Sequence, residues 1–454
     1  MFELIYDARS ALKCRCQYRL ISRLLIFILI LGGSISCRSN SDSETSDKTR
    51  SHESDDLLRR AAHIGERDPR KSQREFRFFQ NLMGTQFNIQ LVGYDQLTAQ
   101  AAARAAFNEV RRVEYLVSSW REDSDIGRLN RFAGERSVNL TLETAWLLCQ
   151  SRSISTLTRG AFDITWAALK GLWDFRHNRM PDHDILQRRL RSVGIQHLKI
   201  SRGALSDAKI RQTSTEPSKE TKNRSKLQPE VKSTLRVREN PPQDLCQDLI
   251  AKPLPPVWSK FKPDPPSEWA QKWSGQLMIK SAQVDLGGIA KGFGVDQAAR
   301  VLRRLGYQDF LIDGGGDLLA SGRSLGGDPW SIGIAHPRTN ATWGRLWVPS
   351  GWSVVTSGDY ERYFIDDQVR YHHIIDLRTG YPARGSIAIT VIAKSAMLAD
   401  AYATGLFVLG PREGLALAES IPDLEAIFLT PIGEVITTEG AQVFSHDLKT
   451  RWRH

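Results

Sequence analysis

Cysteine is scarce in this chain, with five in 454 residues. Cys14 and Cys16 precede an apolar run and Cys37 follows it, which leaves Cys149 in a helical-looking segment and Cys246 in what reads as a loop. So few thiols, in such different contexts, argue against a disulfide framework, and Cys149 and Cys246 are expected to be unpaired. Long hydrophobic runs are also lacking: the longest, LLIFILILGGSIS, is too short for a comfortable membrane span. With 41% hydrophobic and 25% charged residues the chain is composed like a soluble globular protein, and a membrane bundle is excluded. The Walker pattern GxxxxGK[ST] is absent, so a P-loop reading fails. The net charge of +11 comes without any aromatic-plus-basic pattern. Part of it lies in residues 1–37 (five Lys/Arg against two Asp/Glu) and part in 205–270 (twelve against nine). No folded face is basic by this count, and nucleic-acid binding is excluded.

What is present begins with an address. Lys13, Arg15, Arg19 and Arg23 precede the apolar run, which ends in small residues before Cys37, as in an export signal. A cysteine after small residues resembles a bacterial lipoprotein signal in which Cys37 is lipidated, although Ser34 departs from the usual leucine. The alternative is an uncleaved N-terminal anchor. Residues 38–77 are polar and read as a flexible tether. Ten of the nineteen prolines fall within 205–270, which reads as an irregular surface insertion. Trp258, Trp269 and Trp273 stand in or beside it, and are read as packing the insertion onto the body or contacting a partner. Residues 443–454 are taken as a C-terminal tail.

Between these segments strands and helices alternate. Phe87, Ile89 and Leu91 have the period of a half-buried strand, and residues 97–117 have that of a helix. Further helices are expected near 142–158, 183–193 and 395–408. Strands are expected near 196–200, 276–281, 308–313, 330–334, 352–356, 372–376, 387–393 and 424–430. The later strands follow one another through short turns, which favours antiparallel pairing.

Two stretches carry chemistry. In VDLGGIAKGFGVDQAARVLRRLGYQDFLIDGGGDL, residues 284–317, a strand meets a glycine turn and a helix with Lys291 near its start. The first N–H groups of a helix lack internal partners and lie at its positive pole, so this arrangement suits a phosphate. Gly287 and Gly288 would permit close approach, or serve the turn alone. In MLADAYATGLFVLG, residues 397–410, Asp400 and Thr404 stand four apart on one face of an otherwise apolar helix. A carboxylate and a hydroxyl there suit Mg²⁺, which takes hard oxygens and keeps water and phosphate ligands. The alternative is that Asp400 caps the helix and Thr404 bonds back to a carbonyl one turn earlier.

Together with NLMGTQFNIQLVG from Asn81, SSWREDSDIGRLN (118–130), GAFDITWAALKGLW (160–173), VVTSGDYERYF (354–364) and HHIIDLRTGYPARG (372–385), these stretches resemble, in order, the FAD:protein FMN transferase (ApbE) family. The resemblance covers roughly 78–203 and 275–442. It implies an α+β fold, a two-lobed body of mixed, largely antiparallel sheets and packed helices over 78–442, interrupted by the insertion. It implies a metal site at Gly288 (through its carbonyl), Asp400 and Thr404. Flavin and adenine contacts would fall on Met83, Trp120, Ala161, Phe162, Asp163, Asp285, Lys291 and Ile374, and the catalytic base on His373. Core packing for Trp120 and Met83, a helix cap for Asp163 and a turn role for Asp285 are the structural alternatives. His372 and Leu377 depart from the family's pattern. On a strand His372 and His373 point to opposite faces, so only one enters the site. Asp376 either orients the histidine or fixes the RTG turn.

The implied reaction is Mg²⁺-dependent transfer of FMN from FAD to a threonine or serine of an exported flavoprotein, with AMP leaving. With the export signal, it describes an enzyme anchored in a bacterial cell envelope and facing outward. An FAD pyrophosphatase giving FMN and AMP, and a non-catalytic flavin-binding lipoprotein, are the alternatives.

Overall fold

The computed structural model describes residues 72–202, 245–251, 272–445 and 447–452. The export signal, Cys37, almost all of the tether, Trp258 and Trp269 lie outside the described residues.

The frame is an eight-stranded sheet: β1 (Arg74–Leu82), β2 (Thr85–Gly93), β3 (Phe310–Gly314), β4 (Asp317–Ser321), β5 (Trp352–Gly358), β6 (Ala388–Ala393), β7 (Leu424–Leu429) and β8 (Val435–Thr437). Its strands lie side by side in chain order, and every neighbouring pair is antiparallel. The smaller sheets are antiparallel too, so the α+β fold with largely antiparallel sheets is as expected, and no parallel pair occurs among the described residues. The reason lies in the connections: helices and whole excursions are inserted between strands that remain sheet neighbours, so no right-handed parallel crossover is needed.

Side-chain alternation divides the core. Phe87, Ile89 and Leu91 of β2, all fully buried, face the helices α1 (Gln96–Val117) and α2 (Ala290–Arg304). Each such side chain contributes roughly 1.5–3 kcal/mol on burial. Farther along the same face, Ile389 and Val391 of β6 and Ala426 and Phe428 of β7 pack on α3 (Ala396–Glu419). The opposite face, through Val92, Val354, Ile392, Ile427 and Leu429, packs on the hairpin formed by Trp330–Ala335 and Thr342–Val348. Strand β6 is buried along its whole length, as its unbroken AITVIA requires.

Between α1 and α2 the chain builds a second layer, with the helix Leu142–Leu157 and a three-stranded sheet in which Trp273–Leu277 lies between Val138–Leu140 and Leu198–Arg202. Trp273 is therefore a buried strand residue rather than part of the insertion. Two further expectations are corrected here. Residues 245–250 form a helix, and its Cys246 is disulfide-bonded to Cys149, 97 residues away in sequence. Both cysteines are buried, a spatial proximity that spacing along the chain does not reveal. At the other end, Trp452 is buried and its indole donates to the Thr430 carbonyl at 2.7 Å, so the C-terminal residues pack as part of the body.

Helix α3 starts at Ser395, whose side chain accepts from Leu398 N. It breaks at Gly410, which has φ +76° and is followed by Pro411. This is where the expected helix ends, because proline removes the donor and glycine admits the positive φ.

Candidate active site

Three close approaches converge on the start of α2. Gly292 lies so near α3 that a Cβ there would stand 2.1 Å from the Ala396 carbonyl oxygen, so only glycine allows this crossing. Asp296, one turn on, accepts from Ser395 Oγ at 2.7 Å and from the backbone N–H groups of Ala396 and Met397 at 2.9 and 3.1 Å. The two helices are thus locked at their N-terminal ends. Burial raises the Asp296 carboxyl above its usual range, and these three donors oppose that shift.

The lock aims Asp400 back at α2, whose first turn has no side-chain cap of its own. The Asp400 carboxylate accepts from Gly292 N at 3.2 Å and from Lys291 Nζ at 3.1 and 3.2 Å. It caps a helix, as one reading anticipated, but the helix is α2 rather than its own. One turn along α3, Thr404 Oγ1 would lie 3.4 Å from a Cβ on Gly288, and it makes no hydrogen bond to another described residue. The back-bonding alternative for Thr404 is therefore not realised. The Thr404 hydroxyl thus faces Gly288, and Phe162 lies beside the same glycine.

Asp317 was overlooked in the sequence. The run Gly314–Gly316 is not a phosphate loop but a hairpin turn, with Gly315 at φ +72° and Gly316 at +97°, braced by Gly316 N donating to Asp313 Oδ1 at 2.8 Å. Its consequence is Asp317 at the start of β4, whose Oδ2 accepts from Lys291 Nζ at 3.1 Å. The signal available was the pairing of GGGD with a lysine on the preceding helix. Burial first, then the Asp400 charge, pushes the Asp317 carboxyl well above its usual range. Burial opposes the Lys291 charge, yet the two carboxylates outweigh it and raise its pKa. Two buried carboxylates against one ammonium leave the cluster short of positive charge. Carboxylate, free hydroxyl and the Gly288 carbonyl are hard oxygen donors, so the residues fit Mg²⁺. Among the described residues no group of three or more His, Cys, Asp or Glu side chains gathers in the manner of an all-protein metal cage.

The two histidines differ in burial, and the strand ends between them. His372, at the end of the strand Val369–His372, is buried: its Nε2 is 2.8 Å from the Ala383 carbonyl oxygen, and its Nδ1 accepts from Ile374 N. His373 is exposed. The protein atoms around its ring, then the charges of His372, Arg362 and Lys291, push its pKa down to about 4, so it is neutral at pH 7. Asp376 fixes the RTG turn, accepting from Arg378 N at 3.0 Å and from its guanidinium at 2.8 Å.

The remaining residues fall in different surroundings. Met83 sits at φ +52° in the β1–β2 turn, donates its N–H to Glu114 at 2.9 Å and brings its sulfur beside Gly294. A cavity of about 430 Å³ opens there, lined by Asn81 to Gln86 and Glu114. Ala161, Phe162 and Ile374 are buried in the core beneath the site. Asp163 caps the short helix Ile164–Leu169, and its oxygens accept from Thr165 and from Ile195 N, so its carboxylate is engaged within the fold. Asp285 accepts from Gly287 N at 2.8 Å and also binds Lys170 and Ser119. Trp120 is 85% exposed, so the reading of it as a core tryptophan fails.

The ApbE family model matches residues 83–232 and 226–428. The chain belongs to the ApbE family. The FAD:protein FMN transferase of Vibrio cholerae is 28% identical over 348 residues, 74% of this chain and 82% of the relative. That of Haemophilus influenzae is 28% identical over 350 residues, 74% and 81%. Among solved structures, the ApbE protein of Thermotoga maritima matches with a TM-score of 0.60 at 25% identity, over 82% of this chain and all of that one. The flavinyl transferase ApbE of Pseudomonas stutzeri matches with 0.60 at 26%, over 83% and 98%.

Proposed function

We propose that this chain is a flavin transferase that moves FMN from FAD to a threonine or serine hydroxyl of an exported flavoprotein and releases AMP. The observation that carries this is the grip of Asp400 on the start of α2 through Gly292 N and Lys291, with Lys291 bridging Asp400 to Asp317 and the Thr404 hydroxyl, one turn along α3, facing Gly288. The names of the relatives, FAD:protein FMN transferases, support the same activity.

In this reading Gly288, Asp400 and Thr404 would hold Mg²⁺, with Asp317 linked to Asp400 through Lys291. When bound, the ion neutralises charge on the phosphate oxygens. Lys291 adds a fixed ammonium in the first turn of α2, where a dinucleotide's phosphates are attracted. His373, neutral at pH 7, takes the acceptor's hydroxyl proton as that oxygen bonds to the FMN phosphorus and the bond to the AMP oxygen breaks. A base pushed down to about 4 is weak. Anionic phosphates arriving nearby favour its protonated form and so strengthen it when substrate is bound. Trp120 offers an aromatic face for stacking.

The export signal and Cys37 support anchoring in the cell envelope, facing outward. The Cys149–Cys246 disulfide supports an oxidising compartment. The test is incubation of the protein with FAD, Mg²⁺ and an exported flavoprotein subunit that has a threonine acceptor. Covalent FMN on the acceptor with AMP in equal amount is expected. Absence of both refutes the reading, and free FMN without acceptor labelling would make the chain a pyrophosphatase.

A further inference from the structure

Lys170 stands within GAFDITWAALKGLW without a role assigned to it from the sequence, yet it occupies the centre of a cluster with Ser119, Trp120, Trp166 and Asp285. Its ammonium donates to Asp285 Oδ2 and, at 3.0 Å, to Ser119 Oγ, while Ser119 Oγ donates to the same Asp285 oxygen. It also stands 4.7 Å from the ring centroid of Trp120 and 5.5 Å from that of Trp166. The loop that presents Trp120 is braced independently. Ser124 Oγ donates to the Ser118 and Arg121 carbonyls, Asp123 accepts from Tyr115 and Arg121, and Gly127 packs so closely on the Arg121 carbonyl that no other residue fits.

A large indole held on a rigid loop, with a cation near one face and most of its surface in water, contributes little to folding. Folding does not require Lys170 to meet it either, because Asp285 is already bonded by Ser119 and Gly287. We propose that Lys170 is a positioning residue for the dinucleotide: it ties the Trp120 ring to Asp285, presetting the face on which an aromatic ring of the substrate stacks. It also cancels a carboxylate charge that would otherwise repel the diphosphate. Cation–aromatic attraction orders the ring, and a prearranged platform loses less freedom when ligand arrives. The inference deepens the flavin-transfer reading and rests on it.

The test measures FAD binding by flavin fluorescence, without acceptor, alongside KM and kcat for transfer. Lys170→Met is expected to raise both the Kd for FAD and KM about tenfold, with kcat within about twofold; loss of the pair with Asp285 lowers the melting temperature, so binding is measured well below it. Lys170→Arg, which keeps the charge and the donors, should restore Kd to within about threefold. Trp120→Ala removes an exposed side chain that the fold does not need, and is expected to weaken FAD by a similar factor. In that background Lys170→Met should add less than about threefold, because much of its effect passes through the ring. A Kd within about twofold of the unaltered protein for Lys170→Met or Trp120→Ala overturns the proposal, as does a fall in kcat at unchanged KM. If the unaltered protein itself fails to bind FAD, the flavin reading falls as well.

Discussion

Replacing Lys291 by methionine isolates the electrostatic core of the site. The ammonium lies 3.1 Å from an oxygen of Asp317 and 3.1 Å from one of Asp400, carboxylates whose side chains are 4% and 5% exposed. At an effective dielectric near 20, each contact is worth roughly 5 kcal/mol of attraction. Desolvation of the buried ions takes back much of this, and removing one partner of a buried pair typically leaves a net loss of about 3–5 kcal/mol. Lys291 retains 27% exposure, so the lower figure applies. At pH 7.5 a loss of about 3 kcal/mol corresponds, for a folded body of this size, to a fall in melting temperature of roughly 4–5 °C. The sign with pH follows from Asp317. Its folded pKa is already raised above its unfolded value, and without Lys291 it rises further, so the folded variant binds a proton that the unfolded chain releases. The deficit relative to the unaltered protein should therefore shrink as pH falls from 7.5 to 5.5, and grow as pH rises through the folded pKa. Calorimetry of both proteins at the two pH values checks this. Equal melting temperatures at pH 7.5, or a deficit indifferent to pH, would show that the two carboxylates are not the charged, buried pair described.

Four other outcomes are expected. Reducing the Cys149–Cys246 bond, which closes a loop of about 100 residues, should cost about 2–5 kcal/mol of stability, read by urea unfolding with and without reductant. Gly292→Ala must push the Ala396 carbonyl away from a contact of 2.1 Å, so it should lower both stability and transferase activity; an unchanged crystal structure and rate would contradict the packing. The two histidines should separate by phenotype: His373→Ala abolishes transfer while FAD binding persists, whereas His372→Ala lowers the melting temperature by removing a buried ring. The acid limb of kcat/KM should follow His373 and fall well below pH 6.5, near 4 in the free enzyme, because activity needs its neutral form.

Much of the molecule was legible in the chain because local patterns act locally. The alternation of Phe87, Ile89 and Leu91, the helical period of 97–117 and the Gly410–Pro411 stop fixed their elements close to where they stand. The four-residue spacing of Asp400 and Thr404 put both side chains on one helical face before any packing was known. Other features depend on residues far apart in the chain, and only the tertiary structure decided them. Asp317 reads as the last letter of a glycine turn until β4 brings its carboxylate against Lys291. Cys149 and Cys246 read as unrelated until a helix within the proline-rich segment docks on Leu142–Leu157. Asp163 matches a motif, yet folding commits its oxygens to Thr165 and Ile195. Lys170 gains its meaning from Trp120 and Asp285, 50 and 115 positions away. Spacing dictates which side chains share a face, because backbone periodicity belongs to neighbouring residues. Which faces meet, and therefore which charges must balance, is set when distant segments compete for the same buried volume.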